Sequence, residues 1–180
     1  MKSSRKVLFI LLSCLFLLSV RSFGQTAVQK DSVDTKIRNA AREIMSTAGT
    51  CALITLDEKN IPMVRTMDPF PPENEFTVWF GTNPKSRKVE QIKNNPTVTL
   101  YYLDKGNAGY VVLHGVAQLV DDQNEKEKHW KKAWENFYTN KAEDYLLIKV
   151  SPQWMEVINF AQGIKGNHIT WEAPIVYFNQ

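Results

Sequence analysis

Cysteine is almost absent from these 180 residues: the chain holds two, Cys14 and Cys51. Cys14 lies inside an N-terminal apolar run, so a chain processed after that run keeps Cys51 alone and has no partner for an intrachain disulfide. Cohesion must then come from a hydrophobic core. Also missing is an apolar stretch long enough to span a membrane, since the run from Val7 to Val20 falls short of the about 18 to 20 residues a spanning helix needs. Positive charge is scarcer than the formal net charge of +3 and the pI of 8.8 suggest. Lys2, Arg5, Lys6 and Arg21 sit in the first 24 residues, and without them 18 basic residues face 19 acidic ones. Such a chain lacks the basic surface that neutralises nucleic-acid phosphates, so no nucleic-acid partner is expected. Ser-His-Asp order, zinc-ligand spacing and paired carboxylates do not stand out. His129 with Glu125 has helical spacing but offers only a pair of ligands, so no metal is expected either. Internal repeats and low-complexity tracts are lacking.

What is present begins with Lys2, Arg5 and Lys6 ahead of the apolar run, followed by Ser22-Phe23-Gly24, small residues at the spacing a signal peptidase needs. Residues 1–24 therefore read as a secretory signal peptide, which implies export to the periplasm or cell surface. An uncleaved anchor is the alternative, disfavoured by the length of the run. Leu12-Ser13-Cys14 resembles a lipoprotein cleavage box, but the leucines continue past the cysteine. No twin-arginine motif occurs in Met1 to Gly24. Residues 25–33 form a polar lead-in, and 34–180 suffice for one domain of ordinary size.

Within that domain, Ile37, Ala40, Ala41, Ile44, Met45 and Ala48 make a helical stripe closed by Gly49. Thr50 to Leu56 and Ile61 to Met67 read as a hairpin across Asp57-Glu58-Lys59-Asn60. Cys51 reads as a small core residue, because no neighbouring cation or His lowers its pKa. A proline-rich connection, Asp68 to Asn74, leads to a strand from Glu75 to Phe80. Thr97 to Leu103 and Tyr110 to Val120 alternate as long strands around a Lys105-Gly106-Asn107 turn; mid-strand Gly115 suggests a bulge or the close approach of another chain or ligand, and His114 reads as a core or pore residue. Asp121-Asp122-Gln123 opens a helix with Trp130, Ala133, Trp134, Phe137 and Tyr138 on one face, which reads as a lid; an aromatic substrate cage is the alternative. Tyr145 to Val150 and Trp154 to Phe160 are closing strands broken at Ser151-Pro152. The tail from Gly163 has an apolar finish without an obvious strand partner. The count is six or seven antiparallel strands with three flanking helices, mainly β with α, suited to a small barrel.

The most informative stretch is residues 79–96, a strand, a glycine turn at Gly81 and a basic helix start in succession. Asn83 is placed as N-cap and Pro84 as first helical residue, with Val89 and Ile92 as an apolar seam and Asn94-Asn95-Pro96 as the stop. Lys85, Ser86, Arg87 and Lys88 crowd the first turn, where the macrodipole already favours an anion and disfavours cations. The pattern fits either a phosphate site or a solvated basic turn. Arg65 poses the same choice, between an edge-strand arginine and one that needs an anionic partner.

Gly-Thr-Asn-Pro-Lys-Ser-Arg-Lys-x-x-x-Ile-x-x-Asn-Pro, from Gly81, resembles the flavin-phosphate segment of the pyridoxamine 5'-phosphate oxidase-like proteins, the FMN-binding split β-barrel superfamily, in its general stress protein 26-like branch. The resemblance extends from about Asp34 to the C-terminus and is sharp in this segment and in the strand bearing Arg65. It implies a split barrel in which Arg65, Ser86, Arg87 and Lys88 hold the FMN phosphate while Thr66, Met67, Gly81 and Thr82 line the ribityl chain and ring. It further implies a homodimer with FMN between subunits, Tyr110 as a possible flavin contact, and Trp171 either as a ring neighbour or as a structural tail anchor. Some members bind the deazaflavin F420 or haem instead. The implied activity is oxidation or reduction of a small molecule, with a non-catalytic flavin-binding stress or sensor module as the alternative. True vitamin B6 oxidases carry a lysine a few residues after the arginine and an Arg-x-His near the C-terminus. This chain has Phe70 and its proline neighbours at the first place and lacks the second, which speaks against that reaction.

Overall fold

The computed structural model describes residues 32–106 and 108–178. The leader, most of the polar lead-in and Asn107 lie outside the described residues. Contacts divide the chain into residues 1–36, of which the described part is the first turn of α1, and residues 37–180. Helix α1 covers residues 32–47, and its stripe Ile37, Ala40, Ala41, Ile44 and Met45 is buried as its spacing requires. Among the described residues no helix is long and apolar enough to cross a membrane.

Among the described residues seven strands follow: β1 Cys51–Leu56, β2 Pro62–Met67, β3 Val78–Thr82, β4 Thr97–Leu103, β5 Gly109–Val120, β6 Leu146–Asn159 and β7 Ile175–Tyr177. They pair antiparallel in the order β2-β1-β4-β5-β6-β3, with β7 also on β6. Leu53 of β1 and Phe80 of β3 stand far apart in that order yet share one buried core with Leu100, Leu113 and Met155. The sheet is therefore curled round its interior as a split barrel. Among the described residues four helices flank it, one more than expected: α1, α2 Arg87–Asn94, α3 Gln123–Lys128 and α4 Lys141–Asp144.

Several boundaries differ from those expected. Strand β3 starts at Val78 because Phe76 adopts a left-handed φ of 62°. Arg42 holds that loop, donating to the carbonyls of Pro72, Glu73 and Asn74 at 3.0, 3.0 and 2.6 Å, with its guanidinium 4.3 Å above the Phe76 ring. Ser151-Pro152 does not break the closing strand. The register shifts at His114/Gly115 opposite Pro152, so a bulge absorbs the missing N–H and β6 runs on. Gly115 is needed there, since a Cβ would sit 2.4 Å from the Ser151 carbonyl oxygen. The apolar tail finds a partner after all, with Ile175 opposite Glu156, and Phe178 packs 5.5 Å from Phe76.

Candidate functional site

The basic helix begins three residues later than expected. Asn83 forms a side-chain turn, its Oδ1 accepting from the Lys85 N–H at 2.8 Å, and Ser86 rather than Asn83 is the N-cap of α2. Ser86 makes no side-chain capping bond to the helix, so its hydroxyl is free to face Thr82, with Oγ 3.2 Å from Thr82 Oγ1. Lys88 Nζ donates to the same Thr82 oxygen at 3.2 Å. The late start thus gathers Thr82, Ser86 and Lys88 at one point between β3 and α2.

Arg65 approaches from the other side. On β2 the half-buried Met63, Arg65 and Met67 alternate with the exposed Val64 and Thr66. The Arg65 guanidinium donates to Thr55 Oγ1 at 2.6 Å and to Gln91 Oε1 at 2.9 Å, and the Thr55 hydroxyl donates to the same Gln91 oxygen at 2.6 Å. Thr55 and Gln91 are buried and uncharged, so they orient the guanidinium without neutralising it. Burial, then the nearby Arg87, lowers the Arg65 pKa, while burial, then Arg65, lowers that of Lys88. Among the described residues no carboxylate pairs with Arg65, Arg87 or Lys88. Like charges gathered and left unpaired at the positive end of a helix call for an anion.

Beside this cluster lies a cavity of about 590 Å³. Thr66, Met67 and Asp68 from β2 and its exit form one wall, Gly81, Thr82, Asn83 and Lys88 a second, and Ala133, Trp134, Phe137 and Tyr138 a third. Gly81 does not turn the chain. It lies inside β3 opposite Leu147, and a Cβ there would meet Trp134 Cζ3 at 2.6 Å and Tyr145 Cε2 at 2.7 Å. Its lack of a side chain lets the aromatic wall sit on the strand. A further cavity of about 540 Å³, beside Glu75, Thr77 and Pro152, has no cation in its lining.

A family model described as pyridoxamine 5'-phosphate oxidase like matches residues 36–164. The chain belongs to that family. General stress protein 26 of Bacillus subtilis (strain 168) is 26% identical over 106 residues, covering 57% of this chain and 74% of that protein. The crystal structure of general stress protein 26 from Bacillus anthracis str. Sterne is 26% identical, with a TM-score of 0.58 over 70% of this chain and 93% of that one. A related protein of the pyridoxinephosphate oxidase family from Clostridium acetobutylicum shares the fold at a TM-score of 0.65, 18% identity, and 80% and 95% coverage. The fold also recurs in an F420 reductase (TM-score 0.52, 20% identity, 63% and 94% coverage) and in a haem-binding protein from Mycobacterium smegmatis (0.54, 14%, 66% and 52%).

In this pyridoxamine 5'-phosphate oxidase-like chain, the expected site residues fall into two groups. Arg65, Thr66, Met67, Gly81, Thr82, Ser86, Arg87 and Lys88 come together around the cation cluster and its cavity. Tyr110 and Trp171 line a separate cavity of about 470 Å³ with Phe160, Lys165 and His168. Trp171 is 83% exposed, so its ring is not packed as a tail anchor among the described residues. Phe70 packs edge-on against Trp134 and His129.

The expected helix from Asp121 to Tyr138 is broken. α3 ends at Lys128, His129 caps it, and a 3-10 turn at Lys132–Trp134 follows. The break is fixed by the Tyr145 hydroxyl, which donates to the His129 carbonyl, and by His129 stacking on Trp79 at 4.2 Å. Sequence reading missed Thr55, Gln91 and Asp68. The available signal was a polar Gln91 beside the seam residue Ile92 and four residues after Arg87, which places it on the face that the cations use.

The cluster can be tested for fit to a phosphorylated flavin. Its cations lack acidic partners among the described residues, the hydroxyls of Ser86 and Thr82 stand among them, and an open cavity with one aromatic wall adjoins. Those residues fit a phosphate with a planar ring attached.

Proposed function

We propose that this chain binds FMN and acts as a flavin-dependent oxidoreductase on a small molecule other than a vitamin B6 phosphate. The observation that carries the reading is the convergence of Arg65, Arg87 and Lys88 with no carboxylate among them. Arg65, oriented by Thr55 and Gln91, supplies planar donors to phosphate oxygens, while Lys88 and Ser86 add a charge and a hydroxyl from the start of α2. Thr66, Met67, Gly81 and Thr82 line the path along which a ribityl chain and ring extend. FMN, when bound, supplies the hydride or electron chemistry, so the protein's work is to hold, orient and exclude water.

The reading includes a homodimer, in which Tyr110 and Trp171 of one protomer face the flavin of its partner. The exposure of Trp171 beside the Tyr110 cavity supports that arrangement. It also includes cleavage after residue 24 and function outside the cytoplasm, supported by the leader's sequence.

The F420 reductase and haem-binding neighbours make F420 and haem the alternative cofactors. Protein purified from its own host and examined by absorption spectroscopy and sedimentation separates these. An FMN spectrum that bleaches with NADH or NADPH, on a dimer, is the expected outcome. A Soret band, a deazaflavin spectrum or no chromophore on a monomer would overturn the reading.

A further inference from the structure

Asp68 directly follows the strand residues assigned to the flavin, yet its carboxylate does not point to the cation cluster. Oδ1 accepts from Lys131 Nζ at 2.5 Å and Oδ2 accepts from Trp134 Nε1 at 2.9 Å. Lys131 also donates to the Pro69 carbonyl at 2.8 Å. Both donors belong to the segment between α3 and β6 that forms the cavity's aromatic wall. The base of that segment is closed by the bond from the Tyr145 hydroxyl to the His129 carbonyl. Its middle rests on β3 through Trp134 against Gly81, and Lys131 lies 4.8 Å from the Phe70 ring centroid and 5.1 Å from that of Trp134.

Trp134 is buried in a cluster with Trp79, Tyr145 and Leu147, but the backbone around it has little regular structure. Phe137 is 78% exposed, and the local helices are a three-residue 3-10 turn and the four-residue α4. Elements this short are not stable alone, so the position of the wall depends on its tertiary ties. Beside that packing, a single carboxylate receiving a cation and an indole N–H from the same segment ties the wall to the exit of β2.

We propose that Asp68 is a positioning residue, a latch that holds the Lys131–Tyr138 wall closed over the nucleotide cavity and thereby sets how fast the ligand leaves. This rests on the FMN reading for the identity of the ligand. The latch itself rests on contacts that do not involve the cation cluster. Asp68 touches no phosphate group in this scheme; it acts through Lys131 and Trp134.

The test uses the purified full chain with FMN as probe and Asp68→Ala, Asp68→Asn, Lys131→Met and Trp134→Phe as variants. The exposed Lys132→Ala serves as control. Stopped-flow release of FMN should be about tenfold faster in Asp68→Ala, with association changed much less, and intermediate in Asp68→Asn, which retains an acceptor for the indole. Adding Lys131→Met to Asp68→Ala should bring little further change, because the partners act as one unit. Limited proteolysis within residues 131–140 should accelerate in parallel, with or without FMN.

Unchanged release and unchanged proteolysis in Asp68→Ala, with circular dichroism showing a folded protein, would overturn the latch. Faster proteolysis with unchanged release would also overturn it, since the wall would then not govern the ligand. If the wild type does not bind FMN but Asp68→Ala still exposes the segment, the cofactor reading falls and the tie between Asp68 and the wall stands. Should Asp68→Ala not fold, Lys131→Met, which keeps the aliphatic stem, carries the same pair of outcomes.

Discussion

At the scale of single residues, the site depends on charges that neighbouring neutral groups orient but do not satisfy. Lys88 shows the consequence most directly. Its pKa is lowered by burial and by Arg65, so over the interval between that lowered value and the ordinary lysine value the unfolded chain binds more protons than the folded one. Ligand-free protein should therefore gain stability as pH rises through that interval. The gain is absent below it and complete above. Lys88→Met should raise stability at neutral pH and flatten the alkaline rise, as read by urea unfolding at neutral and alkaline pH; an unchanged slope would show that Lys88 carries no such penalty. Gly81 makes the opposite point, a residue whose lack of atoms matters. Gly81→Ala forces a methyl against the Trp134 and Tyr145 rings and should cost about 1 to 3 kcal/mol in chemical unfolding, with FMN binding weakened in step. Cys51 stays inert by contrast, since burial pushes its thiol up to about 12.

At the scale of elements, local sequence and tertiary contacts divide the credit. The hairpin β1-β2, the strand pair β4-β5 and the α1 stripe were legible because period-two or helical spacing coincides with burial and their turns carry ordinary turn residues. The bulge at Gly115 was legible too, since only a glycine tolerates the approach of the Ser151 carbonyl. Where the reading failed, distant contacts decided. Phe76 alternates correctly for a strand, but Arg42 pins the preceding loop and turns Phe76 out of β geometry. Trp130, Trp134 and Tyr138 keep helical spacing, yet Tyr145, which follows that stretch, and Trp79 far upstream fix His129 so that the helix cannot pass it. Arg65, Arg87 and Lys88 were identifiable by residue type, whereas Thr55 and Gln91, which aim Arg65, emerge only when β1, β2 and α2 are brought together. The Arg42 clamp gives a check at this scale. Arg42→Ala should lose about 1 to 2 kcal/mol after allowance for solvent screening, and hydrogen exchange should rise first around residues 72–77; uniform exchange would show that the loop holds itself.

At the scale of the molecule, a curled antiparallel sheet brings the β2 edge, the β3 end and the start of α2 to one place and leaves a separate aromatic cavity around Tyr110 and Trp171. Membership of the pyridoxamine 5'-phosphate oxidase-like family accounts for the scaffold. The cation cluster is what supports the proposed ligand, and under that proposal the phosphate, more than the ring, is what the protein would grip. Equilibrium titration of the purified chain with FMN and with riboflavin, followed by flavin fluorescence, tests this directly. Loss of the charge-assisted bonds from Arg65, Arg87 and Lys88 should leave riboflavin bound about a hundredfold or more weaker than FMN, and Lys88→Glu should remove most of that difference. Equal affinity for the two compounds, or no binding of FMN by folded protein, would contradict the account.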